Sequence, residues 1–253
     1  MITSLQNERV KLAHGLITGT KSRRKLGKVA LEGARLIRDA LEAGYLPDFI
    51  LYDSSSESIR SLNVEADLLF DVSPDVMQHL TATEHPQGVI GVFPLPTPNI
   101  PRSLKRVLIL DGLRDPGNLG TILRTAAAAG VDLVLLAPGC VDPYNDKVLR
   151  AGMGAHFRVP VIHQSWDKIA ETCNGLIVSL ADMHGDVAYD AADWSLGWGL
   201  IVGGEAQGAS EAAISLAHQR VFIPMAAETE SLNAASAAAI ILFEAARQGR
   251  ERH

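Results

Sequence analysis

Three short segments of this chain place glycine, charged and amide residues at spacings that suit ligand binding. The first runs from Leu110 to Arg124 and contains Asp-Pro-Gly-Asn ahead of a helical pattern. We expect Asn118 to cap that helix and Arg124 to lie under two turns further along. The free N–H groups of a helix start, together with a guanidinium, suit a phosphate. An ordinary turn with Arg124 in a surface ion pair is the simpler alternative.

The second segment, from Ile201 to Gly208, leads an apolar strand into a glycine-rich turn that contains Glu205. It lacks the G-x-G-x-x-G spacing of dinucleotide sites, and a second strand offers no acidic partner for a ribose. Exposed backbone beside a carboxylate could still hold the adenosine of another cofactor. A tight turn with no ligand is the alternative.

The third segment reads Ile223-Pro224-Met225 and continues to Ser231-Leu232-Asn233 before an alanine-rich helical pattern. We expect Ser231 to cap this last helix and Asn233 to lie in its first turn. Acidic residues just before Ser231 would complement the helix dipole. Taken alone, the segment indicates helix capping and nothing more specific.

The elements that would position these segments lie on both sides of a proline-rich stretch, which has four prolines within residues 93–101. Prolines at this density favour a stiff, extended connector. We therefore predict domains at 1–95 and 106–253, joined by a linker at 96–105. Strands are predicted at 28–31, 49–52, 66–70, 89–92, 107–110, 133–136, 159–162, 176–180, 200–202 and 221–223, and helices at 34–43, 57–62, 74–80, 118–129 and 231–247.

Apolar strands that alternate with helices predict two α/β domains, and most clearly a parallel sheet covered on both faces after the linker. Ligands of such sheets bind at the carboxyl ends of the strands. The three segments each follow a predicted strand or open a predicted helix. The pattern therefore predicts one site at that edge of the second domain.

Composition excludes several classes of protein. Of the 253 residues, 47% are hydrophobic and 21% are charged, which supports a folded core. No apolar run approaches the ~18 residues of a membrane span, and the charged opening of the chain is unlike a secretory signal. The two cysteines are far apart and lack metal-ligand spacing. We expect a reduced, cytoplasmic protein with no membrane segment and no metal site.

The charge is unevenly distributed. The formal net charge is −6, yet residues 1–35 contain eight lysines and arginines against Glu8 and Glu32. A basic segment on an acidic body is typical of a local surface that binds a polyanion. A solvated basic helix with no partner is the alternative.

In their order, the three segments resemble the three motifs of the SpoU (TrmH-like) RNA 2′-O-methyltransferases of the SPOUT superfamily. They read N-x-G-x-x-x-R, G-G-E-x-x-G and I-P-M-(x)5-S-L-N-x-x-S. Residues 29–37 and 86–92 resemble the family's substrate-binding domain, which is similar to ribosomal protein L30e. The resemblance covers nearly the whole chain and departs from the family at Gly152, where serine is frequent, and at Ala226-Ala227.

The resemblance implies an α/β fold with a deep trefoil knot in the C-terminal parallel-sheet domain, preceded by a smaller L30e-like domain. It implies S-adenosylmethionine as cofactor, RNA as substrate and a homodimer. The implied catalytic residues are Arg124, Asn118, Glu205, Ser231 and Asn233. The implied cofactor contacts are Gly203, Gly204, Ile223, Leu232 and Ser231. Arg23, Arg24, Lys25 and Arg35 are the expected RNA contacts.

The implied chemistry is methyl transfer from a sulfonium to a ribose 2′-oxygen, in which alignment of the reacting atoms dominates. No histidine lies within the motifs, so an obvious base is missing. We expect Arg124 to anchor a phosphate and favour the developing alkoxide, while Glu205, Ser231 or water relays the proton. Large-subunit rRNA is the expected substrate. The alternatives are tRNA, an inactive L30e-like RNA-binding factor and a nicotinamide-dependent oxidoreductase.

Overall fold

The computed structural model describes residues 1–81, 86–204, 208–226 and 231–251, apart from the side chains of Ser58 and Glu251. Contacts divide the chain into two compact units. The N-terminal unit comprises Met1–Thr97 and Tyr144–Phe157, and the C-terminal unit comprises Pro98–Pro143 and Arg158–His253. In sequence, residues 144–157 follow strands of the C-terminal unit, but they pack with the N-terminal unit. The domain boundaries predicted from the sequence do not anticipate this.

The α-helices of the described residues are α1 (Glu8–Thr18), α2 (Thr20–Leu26), α3 (Ala34–Glu42), α4 (Pro74–Leu80), α5 (Pro116–Ala129), α6 (Asp146–Gly152), α7 (Trp166–Thr172), α8 (Glu211–Leu216) and α9 (Ala234–Glu251). The strands are β1 (Lys28–Glu32), β2 (Phe49–Tyr52), β3 (Leu69–Asp71), β4 (Val89–Pro94), β5 (Arg106–Asp111), β6 (Leu133–Leu136), β7 (Val161–His163), β8 (Ile177–Ala181), β9 (Val187–Ala188), β10 (Trp198–Gly203) and β11 (Gln219–Phe222). Short 3-10 turns lie at Glu57–Ser61, Ala66–Leu68 and Ala155–Phe157.

The N-terminal unit has a four-stranded mixed sheet in the order β1-β4-β2-β3. Strand β4 is antiparallel to β1 and β2, and β2 is parallel to β3. Because side chains alternate along a strand, the two faces build two cores. Ile90 and Val92 pack on the side of α1 and α4, whereas Val89 and Phe93 pack on the side of α3 and α6.

The C-terminal unit has a seven-stranded sheet in the order β7-β6-β5-β10-β8-β11-β9, and every pair is parallel. Val107 and Ile109 of β5 face a core that also contains Ile169 of α7 and Ala213 of α8. Helices α5 and α9 pack against each other. The predicted α/β class, with a parallel-sheet C-terminal domain after a smaller α/β domain, is confirmed. The trefoil knot stays a prediction.

Two further features bear on the sequence analysis. The strand predicted at 66–70 is a 3-10 turn followed by β3, which pairs with β2 through Ile50 and Leu69. Among the described residues, no helix combines the length and the apolar character that a membrane crossing needs.

Candidate active site

The first and second motif segments lie side by side at the carboxyl edge of the large sheet. Asp111 ends β5 opposite Gly203, which ends β10. The Gly204 N–H donates to the Asp111 carbonyl oxygen at 2.9 Å, and the buried Asp111 carboxylate accepts from the Ser210 N–H at 2.6 Å. These bonds fix the two loops to each other, at the edge where parallel sheets bind ligands.

Helix α5 begins two residues earlier than predicted, and Asp115, rather than Asn118, caps it. The Asp115 carboxylate accepts from the Asn118 N–H at 2.7 Å, and Pro116 occupies the first turn. Proline suits that position because it has no N–H to leave unpaired, and an aspartate just before it can accept from the free N–H groups. The prediction that Asn118 caps the helix is wrong. Its half-buried side chain is instead available for another contact.

That contact joins the first motif to the third. The Asn233 side-chain amide donates to the Asn118 side-chain oxygen at 3.0 Å, between residues 115 positions apart. The Asn233 side-chain oxygen accepts from the N–H groups of Ala235 and Ser236 at 2.9 and 3.3 Å, so it caps α9. The prediction that Ser231 caps this helix is therefore wrong. Ser231 lies three residues before α9 and is exposed.

Arg124 lies on the exposed face of α5 that also carries Gly117 and Thr121. Among the described residues it has no hydrogen bond or ion pair, so the surface ion pair considered above is not found there. It is six residues beyond Asn118, about 9 Å along the axis. Helical side chains tilt toward the N-terminus. The Arg124 side chain thus leans toward the N-terminal end of α5, where Asn118 lies.

Gly203 and Gly204 are required by the packing of the protein's own backbone. A Cβ on Gly204 would lie 2.7 Å from the Gly112 carbonyl oxygen, and one on Gly203 would lie 3.0 Å from the Gly208 carbonyl carbon. The first distance is too short for a real side chain, and the second would require the neighbouring backbone to shift by a few tenths of an ångström. The glycines therefore bring the loops into direct contact, and their presence does not by itself indicate a ligand.

The predicted cofactor contacts after β11 are apolar and accessible. Ile223 is half-buried, while Leu232 keeps 36% of its surface exposed; Met225, which was not among the predicted contacts, keeps 39%. Exposed apolar groups beside free backbone fit an adenosine, which combines a flat aromatic face with polar edges. Glu205 lies outside the described residues.

A cavity of about 400 Å³ adjoins this edge, and sequence reasoning gave no role to several residues that line it. Asp111, Asp115 and the exposed Arg114 are the charged ones that it missed. Their place at a strand end, beside the loop after β6, is the signal that could have revealed them. The cavity is lined by Asp111, Gly112, Leu113, Arg114, Asp115, Pro138, Gly139, Gly204, Gly208, Ala209 and Ser210.

The cysteine near this cavity is poorly suited to act as a nucleophile. Burial raises the pKa of the Cys140 thiol above its ordinary value, and the charge of Asp111 adds to that rise. The thiol donates to the Leu110 carbonyl oxygen at 3.2 Å. Since only a thiolate attacks readily, covalent catalysis through Cys140 is disfavoured.

The predicted RNA contacts separate into two kinds. Arg24, Lys25 and Arg35 are exposed. Arg23 is only 2% exposed, and its guanidinium donates to protein oxygens. The prediction that Arg23 contacts RNA is wrong, because a buried side chain that is hydrogen-bonded within the protein cannot reach a phosphate.

The motifs, the joined loops and the parallel sheet agree with one family. Residues 105–243 match the model of the SpoU rRNA Methylase family. The chain belongs to the SpoU family. Residues 7–91 match a second model, the MRM3-like substrate binding domain. The resemblance inferred from the sequence is therefore confirmed.

Curated SpoU relatives are similar over most of the chain. The mitochondrial rRNA methyltransferase 3 of Mus musculus is 37% identical, with 89% of this chain and 69% of that protein aligned. The 23S rRNA (guanosine(2553)-2′-O)-methyltransferase RlmP of Bacillus subtilis is 32% identical, with 96% and 97% aligned. The second relative thus matches both SpoU-family domains from end to end.

Solved SpoU structures have the same fold. The methyltransferase AviRb from Streptomyces viridochromogenes, in complex with AdoMet, has a TM-score of 0.85 at 29% identity and aligns with 96% of this chain and 98% of its own. The AdoMet-bound rRNA methyltransferase from Sinorhizobium meliloti has a TM-score of 0.85 at 32% identity, with 97% of each chain aligned.

Proposed function

We propose that this chain methylates a ribose 2′-hydroxyl of large-subunit rRNA, with guanosine as the first candidate nucleotide. Its family makes S-adenosylmethionine-dependent rRNA methylation the activity of the chain. Guanosine is taken from the name of the B. subtilis relative. The observation that carries the assignment of the site is the hydrogen bond between Asn118 and Asn233, because it joins the third motif to the first motif, which also contains Arg124.

S-adenosylmethionine supplies an electrophilic methyl group when bound. Ile223 and Leu232 would offer apolar surface to its adenosine, and Gly203, Gly204 and Ser231 would border it. The hydrogen bond between Asn118 and Asn233 is present without substrate, so it would fix the starts of α5 and α9 at the site before RNA binds. Such preorganisation is what an alignment-limited transfer requires.

Arg124 would anchor a phosphate of the target nucleotide and stabilise charge that develops on the 2′-oxygen. A guanidinium with a pKa above ~12 donates hydrogen bonds but is a poor proton acceptor. Glu205, Ser231 or water would therefore receive the proton. Arg114 at the cavity suits the O6 and N7 acceptors of a guanine, the commonest arginine contact to a base.

The two domains would divide the work. We assign RNA binding to residues 1–95, through Arg24, Lys25 and Arg35, and methyl transfer to residues 106–253. We also propose a cytoplasmic homodimer. Phe243, 48% exposed on α9, gives that dimer an apolar contact. Sedimentation velocity would show a monomer if this part of the proposal is wrong.

The test of function uses the purified chain, radiolabelled S-adenosylmethionine and rRNA from cells that lack the gene. Wild type should label 23S rRNA, and nucleoside analysis should find 2′-O-methylguanosine. Arg124→Ala should lower kcat by at least about a hundredfold, or ~2.7 kcal/mol, because the anchor for charge is lost. Its affinity for S-adenosylmethionine should stay unchanged in calorimetry.

Other outcomes would redirect the proposal. Labelling of tRNA alone would move the substrate, and labelling of another nucleoside would remove guanosine. No heat on adding S-adenosylmethionine to folded protein would favour an inactive RNA-binding factor. An Arg124→Ala variant with normal turnover would remove this residue from catalysis.

A further inference from the structure

The basic N-terminal segment uses part of its charge inside the protein. The Arg9 guanidinium lies 3.9 Å from the ring centre of Phe70, and Lys28 pairs with Asp48 at 2.6 Å. Arg23 is buried. Among the described residues of this segment, the exposed cations whose side chains have no hydrogen bond, ion pair or ring contact are Lys11, Lys21, Arg24, Lys25 and Arg35.

Arg23 fastens α2 to the end of α1. Its Nη1 donates to the carbonyl oxygens of Leu16 and, at 3.1 Å, Ile17, and its Nη2 donates to the Thr20 hydroxyl at 3.0 Å. The last carbonyls of a helix have no partner within that helix. Nη1 satisfies two of them while Nη2 reaches Thr20, and the single nitrogen of a lysine cannot reproduce this arrangement of donors.

Helix α2 contacts α1 and β1, but its side chains are mostly exposed. It is seven residues long, lies between Gly19 and Gly27, and Arg23 is its one buried residue. An isolated helix of this length is unstable in water. Helix α1, by contrast, is anchored by Val10, Ala13 and Leu16 in a core of the unit. The position of α2 therefore depends on the bonds that Arg23 makes.

The opposite face of α2 is uniformly basic. Lys21, Arg24 and Lys25 are related by three and four residues, so they share one side of the helix, and all are exposed. The formal net charge of the chain is −6, so this face stands out against an acidic body. A phosphate backbone is the complementary partner, because it repeats single negative charges along one line.

We propose that Arg23 is a positioning residue for RNA binding: it holds α2 so that Lys21, Arg24 and Lys25 form a single phosphate-binding face. The inference rests on the proposed function in taking RNA as the partner. It assigns Arg23 no contact with RNA. It differs from the charge-only interpretation, in which every cation of the segment contributes equally.

The test compares two variants that each remove one positive charge with a third that keeps it. Binding of fluorescein-labelled polyuridylate is measured against salt concentration, where each neutralised phosphate of a single strand contributes ~0.7 to the logarithmic slope. Arg24→Met should lower the slope by about 0.7. Arg23→Met should lower it by about 2, because all three contacts are lost together. Arg23→Lys keeps the charge and should resemble Arg23→Met.

A second background separates positioning from a general loss of fold. In a chain that already carries Lys21→Met, Arg24→Met and Lys25→Met, adding Arg23→Met should leave the remaining slope unchanged, because the face it positions is gone. Circular dichroism and calorimetry with S-adenosylmethionine check that each variant is folded. A slope change equal to that of Arg24→Met, or one that persists in the triple background, would overturn the inference. So would a wild type that binds no polyuridylate.

The outcomes also keep the two proposals apart. If Arg23→Met behaves like Arg24→Met while wild type methylates rRNA, the inference about Arg23 fails and the proposed function stands. If wild type shows the predicted slopes but neither binds S-adenosylmethionine nor methylates rRNA, the proposed function fails and the role of Arg23 stands.

Discussion

Asn233 has two separable roles at the residue scale. Its side-chain oxygen caps α9, and its side-chain N–H groups reach Asn118 on α5. Helices α5 and α9 also pack along their length. The amide therefore sets the start of one helix and ties it to the start of another, which places the motifs of the site in register.

Replacing either asparagine should separate these roles. Asn233→Ala should lower the free energy of unfolding by about 1 kcal/mol, because the cap is lost, and should also lower kcat. Asn118→Ala leaves that cap intact and should reduce kcat with a smaller loss of stability. Urea denaturation and steady-state kinetics measure both. Equal stability losses in the two variants would contradict the assignment of the cap to Asn233.

The thiols offer a test of burial. Burial raises the pKa of Cys173 to about 11, from an ordinary value of 9.0. At pH 8 the thiolate fraction of the folded chain should be about a hundredfold smaller than in the unfolded chain. Iodoacetamide should therefore label Cys173 slowly in buffer and quickly in urea, as read by mass spectrometry. Raising the pH toward 11 should speed the native reaction, and rapid labelling at pH 8 would contradict this burial.

At the scale of elements, the sequence predicted the apolar strands well but the polar residues that begin helices poorly. The predictions at 49–52 and 133–136 match β2 and β6, since a run of apolar residues has no other stable place. The short helices α6 and α8 were missed because, unlike the equally short α4 with Pro74, they have no proline in the first turn to mark their start. Direction is also invisible locally, so the antiparallel pairing of β4 emerges only from the sheet.

The candidate site shows the same division. Its location followed from motif order and strand ends, but the assignment of caps did not. Asn118 and Ser231 are both good capping residues by type. Pro116 makes Asp115 the cap of α5, and the backbone conformation at Asn233 makes that residue the cap of α9. Both assignments require the folded backbone. Arg23 is buried because α1 ends where its last carbonyl groups can accept from the guanidinium. A count of charges along the sequence does not show where that helix ends.

Gly204 tests how tightly the loops meet. In Gly204→Ala the new Cβ would lie 2.7 Å from the Gly112 carbonyl oxygen, so one backbone must shift. We expect a lower melting temperature and weaker binding of S-adenosylmethionine. Gly249→Ala is the matched control, because its Cβ meets nothing within 4 Å and it lies in α9.

That control should be stabilised by about 0.5–1 kcal/mol, since alanine favours helix over glycine. Scanning calorimetry of the two variants compares the effect of the same glycine-to-alanine change on the melting temperature at a crowded position and at an uncrowded one. A Gly204→Ala chain as stable as wild type would show that the loops have room.

At the scale of the whole molecule, the chain crosses from one unit to the other three times. It passes at residues 97–98, 143–144 and 157–158. The middle segment brings Leu149 into an N-terminal core and partly buries Tyr144 and Phe157 there. Residues 144–157 therefore pack in the N-terminal unit, although the residues on both sides of them in sequence belong to the C-terminal unit.

A truncated chain that begins at residue 98 should consequently expose these apolar side chains. We expect it to aggregate or to bind a hydrophobic dye, whereas the full chain does neither. Adding back residues 1–97 as a separate polypeptide should reduce dye fluorescence by covering the same surface. A monomeric truncated chain without dye binding would contradict the placement of 144–157.

The same crossing restricts how such enzymes can exchange parts. A recombination event at the proline-rich connector would combine residues 1–97 of one protein with the segment 144–157 of another, so the two parts of the N-terminal unit would come from different parents. The Glu32–Arg150 pair, with charged groups 3.9 Å apart, and the Asp39 carboxylate beside Gly154 would then join residues of different origin. A working chimera therefore has to transplant two separate stretches of gene, one for residues 1–97 and one for residues 144–157.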